Sequence, residues 1–211
     1  MSLTVSANSS TTIIEPVAQG THLAVCGLLV DLGLQLNKKY NKLQPKVLIG
    51  WEIPDQTYTD ANGDTKPKMV YNRYTANLNE GSNLRRDLAT WRGRDFTPDE
   101  LDEFKLQNIV GKSCFINVIH NDYNGKVYAN VSGIMALPNG VKPGKLSEPA
   151  LVFDIDDISN AKIADLPNWV GDIVKQSEEY KHMKAAENQD QLAAVPSKDL
   201  EEIYDDGDLP F

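Results

Sequence analysis

Apolar and polar residues alternate through most of the first half of the chain. From Gly20 to Gly33 the alternation puts His22, Ala24, Cys26, Leu28, Val30 and Leu32 on one face and Leu23, Val25 and Leu29 on the other, predicting a long strand with a bend or bulge at Gly27. Lys46 to Ile53 predicts a second strand, with Val47, Ile49, Trp51 and Ile53 on one side. The polar stretch Asp55 to Lys68 contains Asn62-Gly63 and predicts a long mobile hairpin loop, from which Met69 to Thr75 returns as a third strand. The period then changes. Ser82 is placed to cap a helix carrying Leu84, Leu88 and Trp91 at helical spacing. Thr97-Pro98-Asp99-Glu100 is a capping box with proline at the first helical position, predicting a short helix to about Phe104. Ser113 to His120 and Val127 to Ala136 predict two more strands joined through Asn124-Gly125, their Cys114/Ile116/Val118 and Val127/Ala129/Val131 sets facing one core.

Beyond Pro138 the pattern is irregular, apart from the apolar run Ala150 to Ile155. Pro167 opens a predicted helix with a stripe of Trp169, Val170, Ile173 and Val174, continuing to about Met183. From Ala186 onward the acidic, apolar-poor composition predicts a disordered tail. The expected organisation is a loose N-terminus over residues 1–15, one domain over 16–185, and the tail over 186–211. Five strands with a helical insert between the third and fourth suit a mainly β fold. The expectation is a five-stranded barrel of the oligonucleotide-binding kind, the OB-fold, with a C-terminal helix; the alternative is a small α+β sheet with a helical layer.

Charge sharpens this picture. The 211 residues carry a net charge of −9, but residues 1–150 balance 16 basic against 15 acidic groups, whereas residues 151–211 hold 5 against 15. The window 38–94 alone has 11 basic and 6 acidic residues. A neutral-to-basic body with an acidic tail permits a nucleic-acid partner despite the overall sign. No apolar run reaches membrane-spanning length, and the opening MSLTVSANSSTT has neither a basic nor an apolar signal region, so the expected location is cytoplasmic, with no membrane partner. Cys26 and Cys114 sit in apolar segments without CxxC spacing, and the three histidines are scattered, so no metal site or cofactor is expected. Asp60-Ala61-Asn62-Gly63-Asp64 places its glycine too early for a calcium loop and reads as a turn.

Single-stranded nucleic acid is held by cations that track phosphates and by aromatic faces that stack on bases. The basic window interleaves both. Its candidates are Lys46, Tyr58, Lys66, Lys68, Tyr71, Arg73, Tyr74, Arg85, Arg86, Arg92 and Arg94, preceded by Lys38, Lys39 and Lys42. The loop 55–68 would close over a strand as a finger. Tyr71 and Arg73 share one face of the third strand and Tyr74 the other, which favours Tyr71 over Tyr74 for stacking. Trp51 and Trp91 align with core residues. Asp154, Asp156 and Asp157 offer a rival reading, a metal-dependent nuclease, but extended backbone would point Asp156 and Asp157 to opposite faces. No nucleophile or phosphate-loop motif accompanies them, so the expectation is a non-catalytic protein. A second rival is an interaction module that binds no DNA.

The terminal Tyr204-Asp205-Asp206-Gly207-Asp208-Leu209-Pro210-Phe211 resembles the tip of bacterial single-stranded-DNA-binding proteins, which typically end Asp-Asp-Asp-Ile-Pro-Phe; Gly207 and Leu209 depart from that pattern. The segments GTHLAVCGLLVDLG, LIGWEIP, YTANL, LRRDLATWRGRDFTPDELDEF and GKSCFINVIHNDYNGKVYANVSGI, spanning roughly residues 20–140, resemble a family of phage-encoded single-stranded-DNA-binding proteins with an OB-fold. The resemblance implies nonspecific binding of single-stranded DNA during phage replication or recombination in the host cytoplasm. It also implies recruitment of replication or recombination proteins by the tip, through Asp205, Asp206, Asp208, Leu209, Pro210 and Phe211, and leaves monomer or dimer open.

Overall fold

The computed structural model describes residues 14–193. β1 (Gly20–Asn37), β2 (Lys42–Thr59) and β3 (Thr65–Thr75) form an antiparallel meander. α1 (Asn83–Arg92) and α2 (Pro98–Glu103) follow, then the hairpin of β4 (Ser113–Tyr123) and β5 (Lys126–Met135), and a three-residue β6 (Leu151–Phe153). The order across the sheet is β3-β2-β1-β4-β5. β1 uses both of its edges. β2 runs along one, while the other is shared by β4, opposite residues 20–25, and by parallel β6, opposite residues 28–30.

The protein is mainly β, but the sheet is open. β3 and β5 come near each other without sharing a ladder, and α1 packs against both strands. The end of β5 is tied to α1 instead, with Ala136 N donating to Thr90 O at 3.1 Å. The closed barrel expected from the sequence is corrected accordingly.

Capping chemistry sets the helices where the sequence places them. Ser82 Oγ accepts from Arg85 N, and Thr97 and Glu100 make the reciprocal box. Leu84, Leu88 and Trp91 turn inward, and the Trp91 ring lies 5.9 Å from that of fully buried Trp51. Trp91 Nε1 donates to Ser113 O at 3.1 Å, fixing α1 to the start of β4. Both tryptophans belong to the core, as expected. Cys26 and Cys114 are free and buried in the same core, where desolvation pushes both thiols up, Cys26 to about 12.

Gly27 is the predicted bulge, at the register shift between Cys26 and Leu28. A second shift occurs between Asp31 and Gly33. In β5 the pattern fails at the tip: Ala129 and Val131 pack on the core, but Val127 is exposed, because the hairpin outruns the core before the turn. That turn has Asn124 and Gly125 both at positive φ, 54° and 72°, the geometry that draws Asn-Gly into tight hairpins. The mobile loop expected over Asp55–Lys68 is also corrected. After a shift beyond Ile53, Thr57, Tyr58 and Thr59 pair with Pro67, Lys66 and Thr65, leaving a turn at 60–64 whose Asp60 carboxylate accepts from Asn62 N and Asp64 N.

The described residues from Ile158 onward form a separate compact unit within what the sequence presents as one domain. It comprises α3 (Asn160–Ala164), α4 (Asn168–Val174) and α5 (Glu178–Ala193). The single helix expected over 167–183 is broken after Val174: Ser177 is buried and its Oγ accepts from Tyr180 N, starting α5 anew. Trp169, expected in the stripe, is 43% exposed. Residues 186–193, expected to be disordered, continue α5. Tip residues 205–211 lie outside the described residues. Among the described residues no helix is long and apolar enough to cross a membrane.

Candidate nucleic-acid interface

Alternation along β2 and β3 divides their side chains between two faces. Val47, Ile49, Trp51 and Ile53 meet Val70 and Tyr74 in the core. Lys46, Leu48, Gly50 and Glu52 lie on the opposite, outer face beside Thr75, Arg73, Tyr71 and Met69, their register partners; Leu48, Gly50 and Glu52 are themselves covered, so this face is open at Arg73 and, in part, at Lys46 and Tyr71. Gly50 is the seat of this face. A Cβ there would stand 2.8 Å from Tyr71 Cδ1 and 3.0 Å from Leu28 Cβ, so only glycine lets the Tyr71 ring settle on the β2 backbone. Tyr71 is consequently half-buried, and its hydroxyl is raised above the ordinary tyrosine value by desolvation and then by the nearby Tyr58.

Arg73 stands two residues along from Tyr71 on the same face, about 7 Å away along the strand. It is exposed and has no carboxylate partner among the described residues. Across the ladder, Lys46 Nζ donates to Thr75 Oγ1 at 2.7 Å and to Gln44 Oε1 at 2.9 Å, both neutral groups. Its ammonium pKa is lowered by desolvation and then by the charge of Arg73. Lys46 and Arg73 are therefore diagonal neighbours across β2 and β3, with no carboxylate paired to either among the described residues, next to a ring seated on Gly50.

The other candidates are placed differently. Lys66 is paired with Glu148, and Lys68 Nζ reaches Pro16 O at 3.4 Å. Tyr58, half-buried, pairs with Lys66 in the β2–β3 arm. Tyr74 is buried and its hydroxyl donates to Asp87 Oδ2 at 2.9 Å, which removes it from the stacking candidates. Arg85 makes a bidentate pair with Asp95 at 3.2 and 3.0 Å, and Arg86 pairs with the adjacent Asp87 at 3.2 Å. Arg92 and Arg94 converge on Glu100 at 2.5 and 2.6 Å. The Arg92 guanidinium also lies over the Phe96 ring, 4.3 Å from its centroid, and 5.5 Å from that of Phe104. Glu100 is held at about 2, first by the Arg94 hydrogen bonds and then by Thr97 N. All four arginines are thus ion-paired at the α1–α2 corner.

The irregular segment after β5 crosses part of the outer face. Ser113 Oγ donates to Gly144 O at 3.4 Å, and Leu146 lies on Gly27, where a Cβ would be 3.0 Å from its Cδ2. Ser147 donates through N and Oγ to the Glu52 carboxylate, both at 2.9 Å. The segment thus neutralises Lys66 through Glu148 and occupies Glu52, leaving Tyr71, Arg73 and Lys46 as the cationic and aromatic part of the face.

Three exposed tyrosines escaped the sequence reading. Tyr40 sits in the β1–β2 turn under Lys39 Nζ, 5.3 Å from the ring centroid. Tyr123 and Tyr128 flank the β4–β5 turn as diagonal neighbours on one face and are 68% and 48% exposed. The signal was available: an aromatic residue beside a two-residue turn has no core to enter.

Asp154 Oδ1 accepts from Asp156 N at 3.1 Å, an Asx turn. Among the described residues no group of three or more His, Cys, Asp or Glu side chains gathers as a metal site would require. No known protein-family model and no curated protein sequence matches the chain.

Proposed function

We propose that the protein binds single-stranded DNA without sequence preference, receiving the strand on the outer face of β2 and β3. The observation that carries this reading is the diagonal Lys46–Arg73 pair, two cations without carboxylate partners among the described residues, beside the Tyr71 ring seated on Gly50. Phosphates compensate such a pair and a base stacks on such a ring, and neither contact reads sequence. The strand order, with helices between β3 and β4, accords with an OB-type arrangement, whose β2–β3 face and β1–β2 and β4–β5 loops meet oligonucleotides. Tyr40, Tyr123 and Tyr128 stand on those two loops or beside them.

The reading is non-enzymatic. Its wider setting, phage replication or recombination in the host cytoplasm, draws on the resemblance of the sequence. Within it, the C-terminal Leu209-Pro210-Phe211 and the acidic residues before it dock replication or recombination proteins, an apolar plug in a pocket and a terminal carboxylate on basic residues.

Anisotropy of a labelled oligo(dT) tests the proposal. The full chain should bind it saturably, more tightly than duplex of equal length, and Arg73→Glu should weaken binding by about tenfold or more. Absence of binding at low salt, or an unaffected Arg73→Glu variant, would reject it.

A further inference from the structure

The segment after β5 returns over the outer face of the sheet as a strap, with no helix or strand of its own from Pro143 to Pro149. Its middle is anchored. A Cβ on Gly144 would stand 2.7 Å from Val25 Cγ2, so glycine lets the backbone press onto β1, and Ser113 Oγ donates to Gly144 O. Leu146, half-buried, covers Gly27 at the β1 bulge, with Met69 beside it. Ser147 N and Oγ satisfy both oxygens of the Glu52 carboxylate, which is 7% exposed. After these anchors comes Glu148, whose carboxylate accepts from Lys66 Nζ.

Lys66 belongs to the same surface as Tyr71. It stands opposite Tyr58 in the β2–β3 register, and Tyr58 is close enough to Tyr71 to raise its hydroxyl. The path along β3 from Arg73 past Tyr71 to Lys66 is about 23 Å at the rise of a strand. The Lys66–Glu148 pair differs in kind from the anchors. Its side chains are 37% and 64% exposed, so water and salt screen it, and an incoming anion can exchange with the carboxylate without unseating Leu146 or Ser147. Asp60 and Asp64 in the turn of the arm also lend Lys66 negative charge, but the Asp60 carboxylate is turned to its own loop, accepting from Asn62 N and Asp64 N. A carboxylate held on a lysine at the end of a basic and aromatic face sits where a DNA phosphate would.

We infer that Lys66 is a further phosphate site of this face and that Glu148 fills it in the free protein, so that a strand must displace the carboxylate to engage Lys66. This rests on the nucleic-acid reading of the β2–β3 face. Glu148 is tethered beside its lysine and competes at high effective concentration, so binding a phosphate there exchanges one anion for another with little net gain. The strap thus holds affinity below what the basic residues would otherwise give.

Anisotropy of labelled oligo(dT) across a salt series, with the wild type, Glu148→Gln, Lys66→Ala and the double variant, tests it. Both side chains lie at the surface, so the variants fold as the wild type does. Glu148→Gln should bind about threefold or more tightly at about 50 mM salt, and its slope of log K against log salt should steepen by about 0.7, one further phosphate contact. Lys66→Ala should differ little from the wild type, and in the double variant the gain from Glu148→Gln should vanish. A Glu148→Gln variant with wild-type affinity and slope, or a gain that survives Lys66→Ala, would overturn the inference and leave the nucleic-acid reading standing. If neither the wild type nor Glu148→Gln binds oligo(dT), both fall together.

Discussion

The outer face of β2–β3 and the α1–α2 corner are equally basic in sequence and opposite in electrostatic character. At the corner, Arg85, Arg86, Arg92 and Arg94 each meet a carboxylate from Asp95, Asp87 or Glu100, so three of the four positive charges are matched within the fold. On the sheet, Lys46 bonds neutral groups, and neither it nor Arg73 has a carboxylate partner among the described residues. A count of basic residues does not distinguish these regions. What distinguishes them is whether a carboxylate arrives at the same place, and that depends on tertiary structure.

The largest effect on binding is expected from the ring. Tyr71→Ala should weaken oligo(dT) binding by about 1–3 kcal/mol, with little change in its salt dependence, by titration of labelled strand. Gly50→Ala joins the two properties that the comparison separates: the added methyl collides with Tyr71 and Leu28, so about 1–3 kcal/mol of stability should be lost in urea unfolding and affinity should fall with it. Full stability with unchanged affinity would mean that the ring is not held by Gly50.

The corner should answer to acid instead. Glu100 is depressed from 4.5 to about 2 in the folded chain, so its contribution is present above 4.5 and is lost as pH falls from there towards 2. Glu100→Gln should remove that part of the acid dependence, seen as a flatter melting-temperature profile over the same window. The smallest effect is expected from Arg86→Ala, whose exposed pair with Asp87 should leave both melting temperature and affinity nearly unchanged.

Local chemistry made much of the fold legible. Ser82 and the Thr97–Glu100 box announce their helices, Gly27 its bulge, Asn124-Gly125 its turn, and the β2 alternation its buried face, because each depends on residues a few positions apart. Long-range partners were not legible. Nothing near Lys66 foretells Glu148, and nothing near Glu52 foretells Ser147, 95 residues away. The polar arm 55–59/65–68 pairs through its backbone, so its side chains carry no apolar alternation to betray it. Ser177 interrupts a helical stripe that is otherwise continuous, and only its burial shows why. On β3, the common face of Tyr71 and Arg73 was readable from strand phase, as was the opposite turn of Tyr74. The carboxylate partners of the arginines were not.

The most direct test compares the salt dependence of oligo(dT) binding in two double variants, Lys46→Ala/Arg73→Ala and Arg92→Ala/Arg94→Ala. Each phosphate contact on a single strand contributes about 0.7 to the slope of log K against log salt. The account predicts that the sheet variant loses about 1.4 of slope, while the corner variant keeps the wild-type slope and loses thermal stability. A corner variant that flattens the slope while the sheet variant leaves it intact would contradict it.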